Sequence, residues 1–145
     1  MSNTIYIVSE IGWDYDDNYY YRTGNGATHP VEAYLIEELA QEAAMQKEVD
    51  FISKLLVAGD SVVRLYKQDE ELEYHDHKEW IEECERKYNI SFDEYLNPYV
   101  IGEGGKKSKN FRGLSPSDTP RQFYVDYINH FEFEFYEVVK VELLA

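Results

Sequence analysis

Alternating apolar and polar positions mark both ends of the chain. Near the start, TIYIVSEIGW carries β-branched and aromatic residues at every second position, which predicts a strand. YDDN then supplies turn chemistry, because Asp and Asn side chains bond their own backbone, and YYYR returns as a second strand. The final segment FEFEFYEVVKVELLA alternates in a similar way, but Glu137 falls on its apolar side, which predicts a β-bulge near Tyr136.

Helical spacing dominates the middle of the chain. After Pro30, VEAYL is a candidate third strand, and the residues that follow predict an amphipathic helix ending at Gly59. Asp50 could cap a second helix, which would break this one near residues 47–50. Both halves of the segment carry apolar residues at helical spacing: Ile36, Leu39, Ala40 and Ala43, then Phe51, Ile52, Leu55 and Leu56.

Three further segments complete the predicted elements. Ser91 and Glu94 stand at capping-box spacing and predict a short helix, while Thr119 and Pro120 predict the start of the last one. Gly, Ser and Pro dominate residues 101–117, which predicts an exposed and mobile loop. Apolar helical stripes precede and follow this loop: Trp80, Ile81, Cys84 and Tyr88, then Phe123, Tyr124, Tyr127, Ile128 and Phe131.

The two terminal strands are the most apolar segments of the chain. Strands of this hydrophobicity should not both be left as open edges, so we expect them to pair with each other. The sequence therefore predicts an α+β fold in one domain, residues 1–145. An antiparallel sheet contains the N- and C-terminal strands, and three to five helices cover it.

The terminal segments IYIVSEIGWDYDDNYYY and FYEVVKVEL also resemble a group of small uncharacterised bacterial proteins. That group opens on a Tyr-x-Val-x-Glu-x-Gly-x-x-Tyr-Asn-Asp-Glu pattern and closes on a Phe-Tyr-Glu-Val-Val strand. The resemblance covers about a third of the chain, and Asp16, Asp17 and Asn18 stand where the group has Asn-Asp-Glu. It implies a compact domain whose terminal strands belong together, and it implies no activity.

The charge narrows the classes of partner. With 29 acidic residues against 14 basic ones, the formal net charge is −15. Such a surface repels nucleic acid and anionic membranes, so a basic protein is the expected partner. Simple solubility is the alternative explanation. The 14 tyrosines, against 7 phenylalanines, suit a surface or core whose apolar rings end in a polar group.

Cysteine usage and hydropathy bear on the compartment. Cys84 is the only cysteine, so no intramolecular disulfide can form, which fits a reducing cytosol. The first residues enter a strand-like run with no basic leader, and no stretch approaches the roughly 18 apolar residues of a membrane span. We therefore expect a soluble cytoplasmic protein.

Acidic residues and tyrosines form the candidate binding site. Tyrosine supplies rigid contact area, and aspartate accepts paired hydrogen bonds from arginine. The turn in GWDYDDNYYYR and the acid-rich segment at 69–87 combine these features. The predicted partner-binding residues are Asp14, Asp16, Asp17, Tyr19, Tyr21, Asp69, Glu70, Glu71 and Glu73.

Other candidate chemistry is weaker. His75 and His77 would share a face on a strand and could chelate a metal, but the helix-like surroundings place them on different faces. The loop GEGGKKSK lacks the spacing of a phosphate-binding P-loop. Cys84 lies on an apolar stripe, which indicates a structural thiol. The sequence thus predicts no catalytic residue, no metal ligand and no cofactor, and it favours a non-enzymatic protein.

Three hypotheses for function follow. The leading one is a small acidic binding protein of the bacterial or phage cytosol that docks onto a basic partner, as inhibitors and immunity proteins do. A second is a nucleic-acid mimic whose carboxylates occupy phosphate sites on a DNA- or RNA-binding enzyme. A third, from another class, is a small-molecule or nucleotide site formed by the loops at 24–29 and 102–112.

Overall fold

The computed structural model describes residues 3–23, 29–67, 72–101 and 114–143. The chain divides into two compact units, which we describe separately. The sheet unit comprises residues 1–50 and 132–145, and the aromatic unit comprises residues 51–131. The prediction that residues 1–145 form a single domain stays a prediction.

Seven strands and four α-helices make up the described chain. The strands are β1 (Asn3–Glu10), β2 (Trp13–Tyr15), β3 (Tyr20–Arg22), β4 (Pro30–Tyr34), β5 (Ile90–Phe92), β6 (Pro98–Val100) and β7 (Tyr136–Leu143). The helices are α1 (Glu37–Val57), α2 (Val62–Tyr66), α3 (Lys78–Tyr88) and α4 (Arg121–Phe131), with a 3₁₀ helix at Tyr74–His77. Within the described ranges, no helix has the length and apolarity that crossing a membrane requires.

The sheet unit is built on an antiparallel three-stranded sheet with the strand order β4-β1-β7. Asn3 pairs with Leu143 at one end of β1 and Glu10 with Tyr136 at the other. This pairing confirms the α+β class and the predicted partnership of the terminal strands. The predicted bulge near Tyr136 is wrong, because β7 keeps one register along β1. The alternation shifts there because β7 begins only at Tyr136, so the preceding phenylalanines belong to another segment.

One face of the sheet packs against α1. Ala40 and Ala44 contact Val8, and the half-buried rings of Tyr6 and Tyr34 complete this side of the core. Small alanines allow the helix backbone to approach the strand closely. The predicted stripe of α1 is therefore only partly right: Ala40 is fully buried, whereas the larger Ile36 and Leu39 face solvent.

Helix α1 is continuous for 21 residues, so the predicted break near residues 47–50 is wrong. Asp50 does not begin a second helix; it lies within α1. The predicted end at Gly59 is confirmed. Gly59 has a φ of 84°, its N–H donates to the carbonyl of Leu56, and the N–H of Asp60 donates to that of Leu55. This pair of bonds is a Schellman motif, which satisfies carbonyls that the end of the helix leaves free.

Aromatic side chains fill the core of the second unit. Phe123, Tyr127 and Phe131 lie along one side of α4 and are buried, as their spacing predicted. Phe92 of β5 stacks on Tyr127 with ring centroids 6.3 Å apart, and Trp80 of α3 lies 5.1 Å from Phe92. A core of this kind buries a large apolar area with few residues.

The predicted short helix at Ser91–Asn97 is wrong. Ser91 belongs to β5, which pairs with β6 through a turn. In that turn, Asp93 Oδ1 accepts hydrogen bonds from the backbone N–H of Tyr95 and of Asn97, both at 2.9 Å. Leu96 has a φ of 64°, which a right-handed helix does not permit. The side chain of Asp93 thus supports a hairpin turn where the spacing of Ser91 and Glu94 indicated a cap. Most of the loop predicted at 101–117 lies outside the described residues.

Candidate binding surfaces

Strands β2 and β3 form the hairpin that the sequence predicted. Asp14 pairs with Tyr21 and Tyr15 with Tyr20. At the turn, Asp16 Oδ1 accepts hydrogen bonds from the backbone N–H of Asn18 and of Tyr19, each at 3.0 Å. These backbone donors hold the pKa of the Asp16 carboxyl below its usual value. Asp16 therefore organises the turn through one oxygen of its exposed carboxylate.

The base of the hairpin is fixed to the segment before β7. Trp13 Nε1 donates a hydrogen bond of 3.2 Å to the carbonyl of Glu134, and the Trp13 ring lies 5.6 Å from that of Phe135. Arg22, which pairs with Trp13 across the hairpin, forms an ion pair of 2.9 Å with the Glu134 carboxylate. The hairpin is thus held at its base, and the candidate residues lie beyond that base in its strands and turn.

The hairpin divides the predicted binding residues into exposed and structural ones. Asp14 and Asp17 are exposed and have no ion-pair partner among the described residues, and Tyr21 is 44% exposed. Tyr19 is half-buried. Tyr15, which was not among the predicted residues, is 51% exposed, and its ring packs at a tilt against that of Tyr20 with centroids 4.9 Å apart. The structure therefore brings the residues of the hairpin together.

The remaining predicted residues fall in the range 51–131 of the chain. Glu73 belongs to the aromatic unit, where its carboxylate lies 3.3 Å from Nδ1 of His75. Asp69, Glu70 and Glu71 lie outside the described residues. The predicted separation of the two histidines is confirmed, since His75 faces Glu73 and Asp76 while His77 bonds to His130. Ligand atoms of Glu73, His75 and Asp76 come within 4.8 Å of one another on the surface, an arrangement that their mutual ion pairs explain.

The charge of the chain is unevenly distributed. The sheet unit has 14 acidic and 3 basic residues, a formal charge of −11, whereas the aromatic unit has 15 and 11, a charge of −4. All three bases of the sheet unit already face carboxylates. Lys47 lies 2.9 Å from Glu32 and Lys140 lies 3.9 Å from Glu142, in addition to the Arg22 pair. The acidic residues without a basic partner therefore give the sheet unit a negative electrostatic potential.

A carboxylate that sequence analysis missed is buried inside the sheet unit. Glu48 of α1 is 5% exposed, and its Oε1 accepts hydrogen bonds from the backbone N–H of Phe135 at 2.6 Å and of Tyr136 at 2.7 Å. Burial raises the pKa of Glu48 to about 7, although these two donors oppose the shift. Glu48 thus connects α1 to the start of β7. In the sequence, the one sign of its burial is its helical spacing from the alanines of α1 that face the sheet.

The aromatic unit contains a pocket of about 410 Å³ between α3 and α4. Trp80 stacks flat on His130, with centroids 4.0 Å apart, and His130 Nε2 lies 2.8 Å from His77 Nδ1. Burial, assisted by His77, lowers the pKa of His130. The pocket is lined by Trp80, Glu83, Cys84, Lys87, Tyr88, Asp126, Asn129 and His130.

Two groups in this pocket, Cys84 and Tyr88, are held in their protonated forms. Burial raises the pKa of the Cys84 thiol to about 12, so the reactive thiolate is scarce near pH 7. Burial also raises the pKa of the Tyr88 hydroxyl to about 12, and the hydroxyl donates a hydrogen bond to Asp126. These groups suit hydrogen bonding in a packed cleft and leave the pocket without an activated nucleophile.

No family model, curated protein or solved structure matches this chain. The resemblance of the terminal motifs to small bacterial proteins therefore stays a prediction. The fold, the charge distribution and the exposed side chains are the observations on which a function can be argued.

Proposed function

We propose that this protein is a small, acidic, non-enzymatic binding protein that docks onto a basic partner protein, in the manner of an inhibitor or immunity protein. The observation that carries the proposal is the formal charge of −11 on the sheet unit, whose three basic residues are already paired with carboxylates. A surface of one sign raises the rate of encounter with a surface of the opposite sign and disfavours partners of like sign.

The hairpin is the contact site of this proposal. Asp14 and Tyr21 pair across β2 and β3, so an exposed carboxylate stands beside an exposed tyrosine ring. The carboxylate suits an arginine or lysine of the partner, and the ring adds contact area at a small entropy cost. Asp16 and the bonds of Trp13 and Arg22 to Glu134 hold this surface in place before a partner arrives, which reduces the cost of ordering on binding.

A cytoplasmic location is part of the proposal. Cys84 is the only cysteine, and it is buried as a free thiol, which a reducing compartment preserves. The nucleotide-site alternative depended on the loops at 24–29 and 102–112, of which only His29 belongs to the described residues. That alternative stays a prediction.

The test is capture of partners from the cells that encode the chain, followed by affinity measurements with the purified partner. One variant combines Asp14→Asn with Tyr21→Ser. The matched control combines Glu94→Gln with Tyr95→Ser, which removes one charge and one exposed tyrosine, 61% exposed, from the aromatic unit. We expect a basic partner whose affinity falls with salt, a loss of about tenfold or more in the hairpin variant, and little change in the control.

Two results would contradict the proposal. One is an affinity that does not respond to salt, and the other is an equal loss in the hairpin variant and the control. Competition with a short DNA duplex separates the nucleic-acid mimic from a general acidic binder. If the duplex displaces the protein from its partner, the partner's site is one for nucleic acid, and the mimic hypothesis replaces the general one.

A further inference from the structure

Aliphatic side chains lie exposed where β4 passes into α1. Leu35 is 79% exposed, Ile36 is 52% exposed and Leu39 is 48% exposed. We call these three residues the aliphatic corner. Val31, 49% exposed, adds another aliphatic side chain on the preceding strand. Single exposed aliphatic residues are common on proteins, but three within five consecutive positions form a contiguous patch.

The N-terminal part of α1 places small residues toward the sheet, although the helix buries larger aliphatic residues such as Ile52 further along. Ala40 and Ala44 face the sheet, whereas Leu39, and Ile36 immediately before the helix, are exposed. Burying Ile36 and Leu39 as well would stabilise the fold further, since apolar area removed from water is the main source of stability. The exposed patch therefore contributes little to this unit on its own and can release more water when a partner covers it.

Carboxylates border the aliphatic corner. Glu37, Glu38 and Glu42 are exposed, and none has an ion-pair partner among the residues that the structure describes. Glu37 and Glu38 lie in the first turn, where the helix dipole favours negative charge. Glu42 lies beyond that turn, four residues after Glu38, and like charges at this spacing weaken a helix. The complement of this border is a positive charge.

We propose that the aliphatic corner binds a segment of a partner protein in which lysine or arginine side chains flank aliphatic ones. This inference rests on the proposed function, because it adds to the hairpin a second place of contact for a basic partner and specifies its chemistry. The aliphatic side chains of that segment cover Leu35, Ile36 and Leu39, and its cations meet Glu38 and Glu42. Charge brings the partner to the sheet unit, and the covered aliphatic area then slows its dissociation.

The test uses three synthetic peptides of equal length as probes: alternating lysine and leucine, alternating lysine and serine, and alternating glutamate and leucine. Their affinities are measured by fluorescence anisotropy. The corner variant combines Leu35→Ser with Leu39→Ser. Its control combines Leu143→Ser, 49% exposed, with Tyr95→Ser. We expect the wild-type protein to bind the lysine–leucine peptide about tenfold or more tightly than the lysine–serine peptide.

The variants locate the binding. The corner variant should bind the lysine–leucine peptide no better than the lysine–serine peptide, while the control variant keeps the preference. Amide hydrogen exchange of the wild-type complex should show added protection at residues 31–39. A second pair of variants tests the border: Glu38→Gln with Glu42→Gln should weaken binding several-fold more than Glu79→Gln with Glu82→Gln, which removes the same charge from α3.

The outcomes separate this inference from the function on which it rests. If the corner variant keeps the preference for leucine, the inference is wrong. If both lysine peptides bind equally well and the Asp14→Asn, Tyr21→Ser variant weakens both, the inference is wrong and the proposed function stands. If the glutamate–leucine peptide binds as tightly as the lysine–leucine peptide, both the basic partner and the proposed function are wrong.

Discussion

The sheet unit and the aromatic unit reach stability by different means. The aromatic unit buries large rings around Phe123 and Tyr127 and carries nearly balanced charge. The sheet unit packs alanines against a strand and buries the rings of Phe133 and Phe135, but it leaves aliphatic side chains exposed and carries a charge of −11. The two units therefore differ in what they leave exposed: the sheet unit presents more aliphatic and acidic surface to solvent than the aromatic unit does.

The largest expected effect tests the difference between the two cores. Phe123→Ala should lower the free energy of unfolding by about 3–5 kcal/mol, because it leaves a ring-sized cavity. Val8→Ala removes two methyl groups from the sheet core and should cost about 2 kcal/mol. Urea unfolding followed by circular dichroism measures both. Each unit contains one tryptophan, Trp13 and Trp80, so single-tryptophan variants show which unit responds. An equal cost for both substitutions would contradict the contrast.

A second prediction concerns the response of the sheet unit to pH. The pKa of Glu48 is about 7 in the folded protein and near 4.5 in the unfolded chain, so the native state holds the proton more tightly. Its contribution to stability is present below pH 4.5 and is lost as the pH rises to about 7. The difference is on the order of 3 kcal/mol. Glu48→Gln keeps an acceptor for Phe135 and Tyr136 and should remove this dependence.

The check for Glu48 is the difference between wild-type and Glu48→Gln unfolding free energies across pH 4 to 8. Hydrogen exchange at the amides of Phe135 and Tyr136 gives a local measure, because these amides donate to the Glu48 carboxylate. A difference that does not vary with pH would show that Glu48 ionises as easily in the folded protein as in the unfolded chain.

The aromatic unit should respond to pH in the opposite direction. The pKa of His130 lies below its ordinary value of 6.5 because burial and His77 disfavour the charged ring. The unfolded chain therefore takes up the proton first, and stability is lost as the pH falls below 6.5. His130→Gln should reduce this loss, and the effect should be smaller than that of Glu48, since His130 is only half-buried. The fluorescence of a variant that keeps only Trp80 measures the unfolding free energy of the aromatic unit across this pH range. If His130→Gln loses as much stability at low pH as the wild-type protein does, His130 is not the group responsible.

The smallest expected effect lies in the hairpin turn. Asp17 has a φ of 82°, a region that glycine enters more easily, so Asp17→Gly should stabilise the protein by about 0.5 kcal/mol. Asp14→Gly removes the same charge from a strand position and should instead destabilise it. Thermal unfolding of the two variants compares them directly. Equal shifts would mean that charge, rather than backbone geometry, decides stability at this turn.

The sequence predicts elements best where local chemistry and packing agree. The stripe ending at Phe131 and the stop at Gly59 are confirmed because helical spacing and a positive φ act within a few residues. The helix predicted at Ser91 is wrong because two local signals compete there. Its spacing to Glu94 is that of a helix cap, but the carboxylate of Asp93 bonds the amides of a hairpin turn.

The candidate site is harder to predict than the fold. The exposed Asp14 and Tyr21 follow from the predicted hairpin, yet Asp16 in the same turn is occupied by backbone amides. Helical spacing groups Ile36 and Leu39 with Ala40 in one stripe but cannot say which of these residues face the sheet. Size favours Ile36 and Leu39 for the core, whereas close approach of the helix to β1 requires alanine. The contacts between α1 and β1 join segments far apart in the chain, so the spacing of residues within α1 does not reveal them.

The pairing of β1 with β7 has a consequence for the order of folding during synthesis. Residues 51–131 of the aromatic unit are contiguous, so their contacts can form as soon as they leave the ribosome. The sheet unit must wait, because β1 finds its partner β7 only after those residues have been made. Until then one side of β1 lacks its neighbour and can pair with another chain. We therefore expect the pairing of residues 3–10 to be a slow step in refolding. We also expect aggregation during synthesis to begin at these residues.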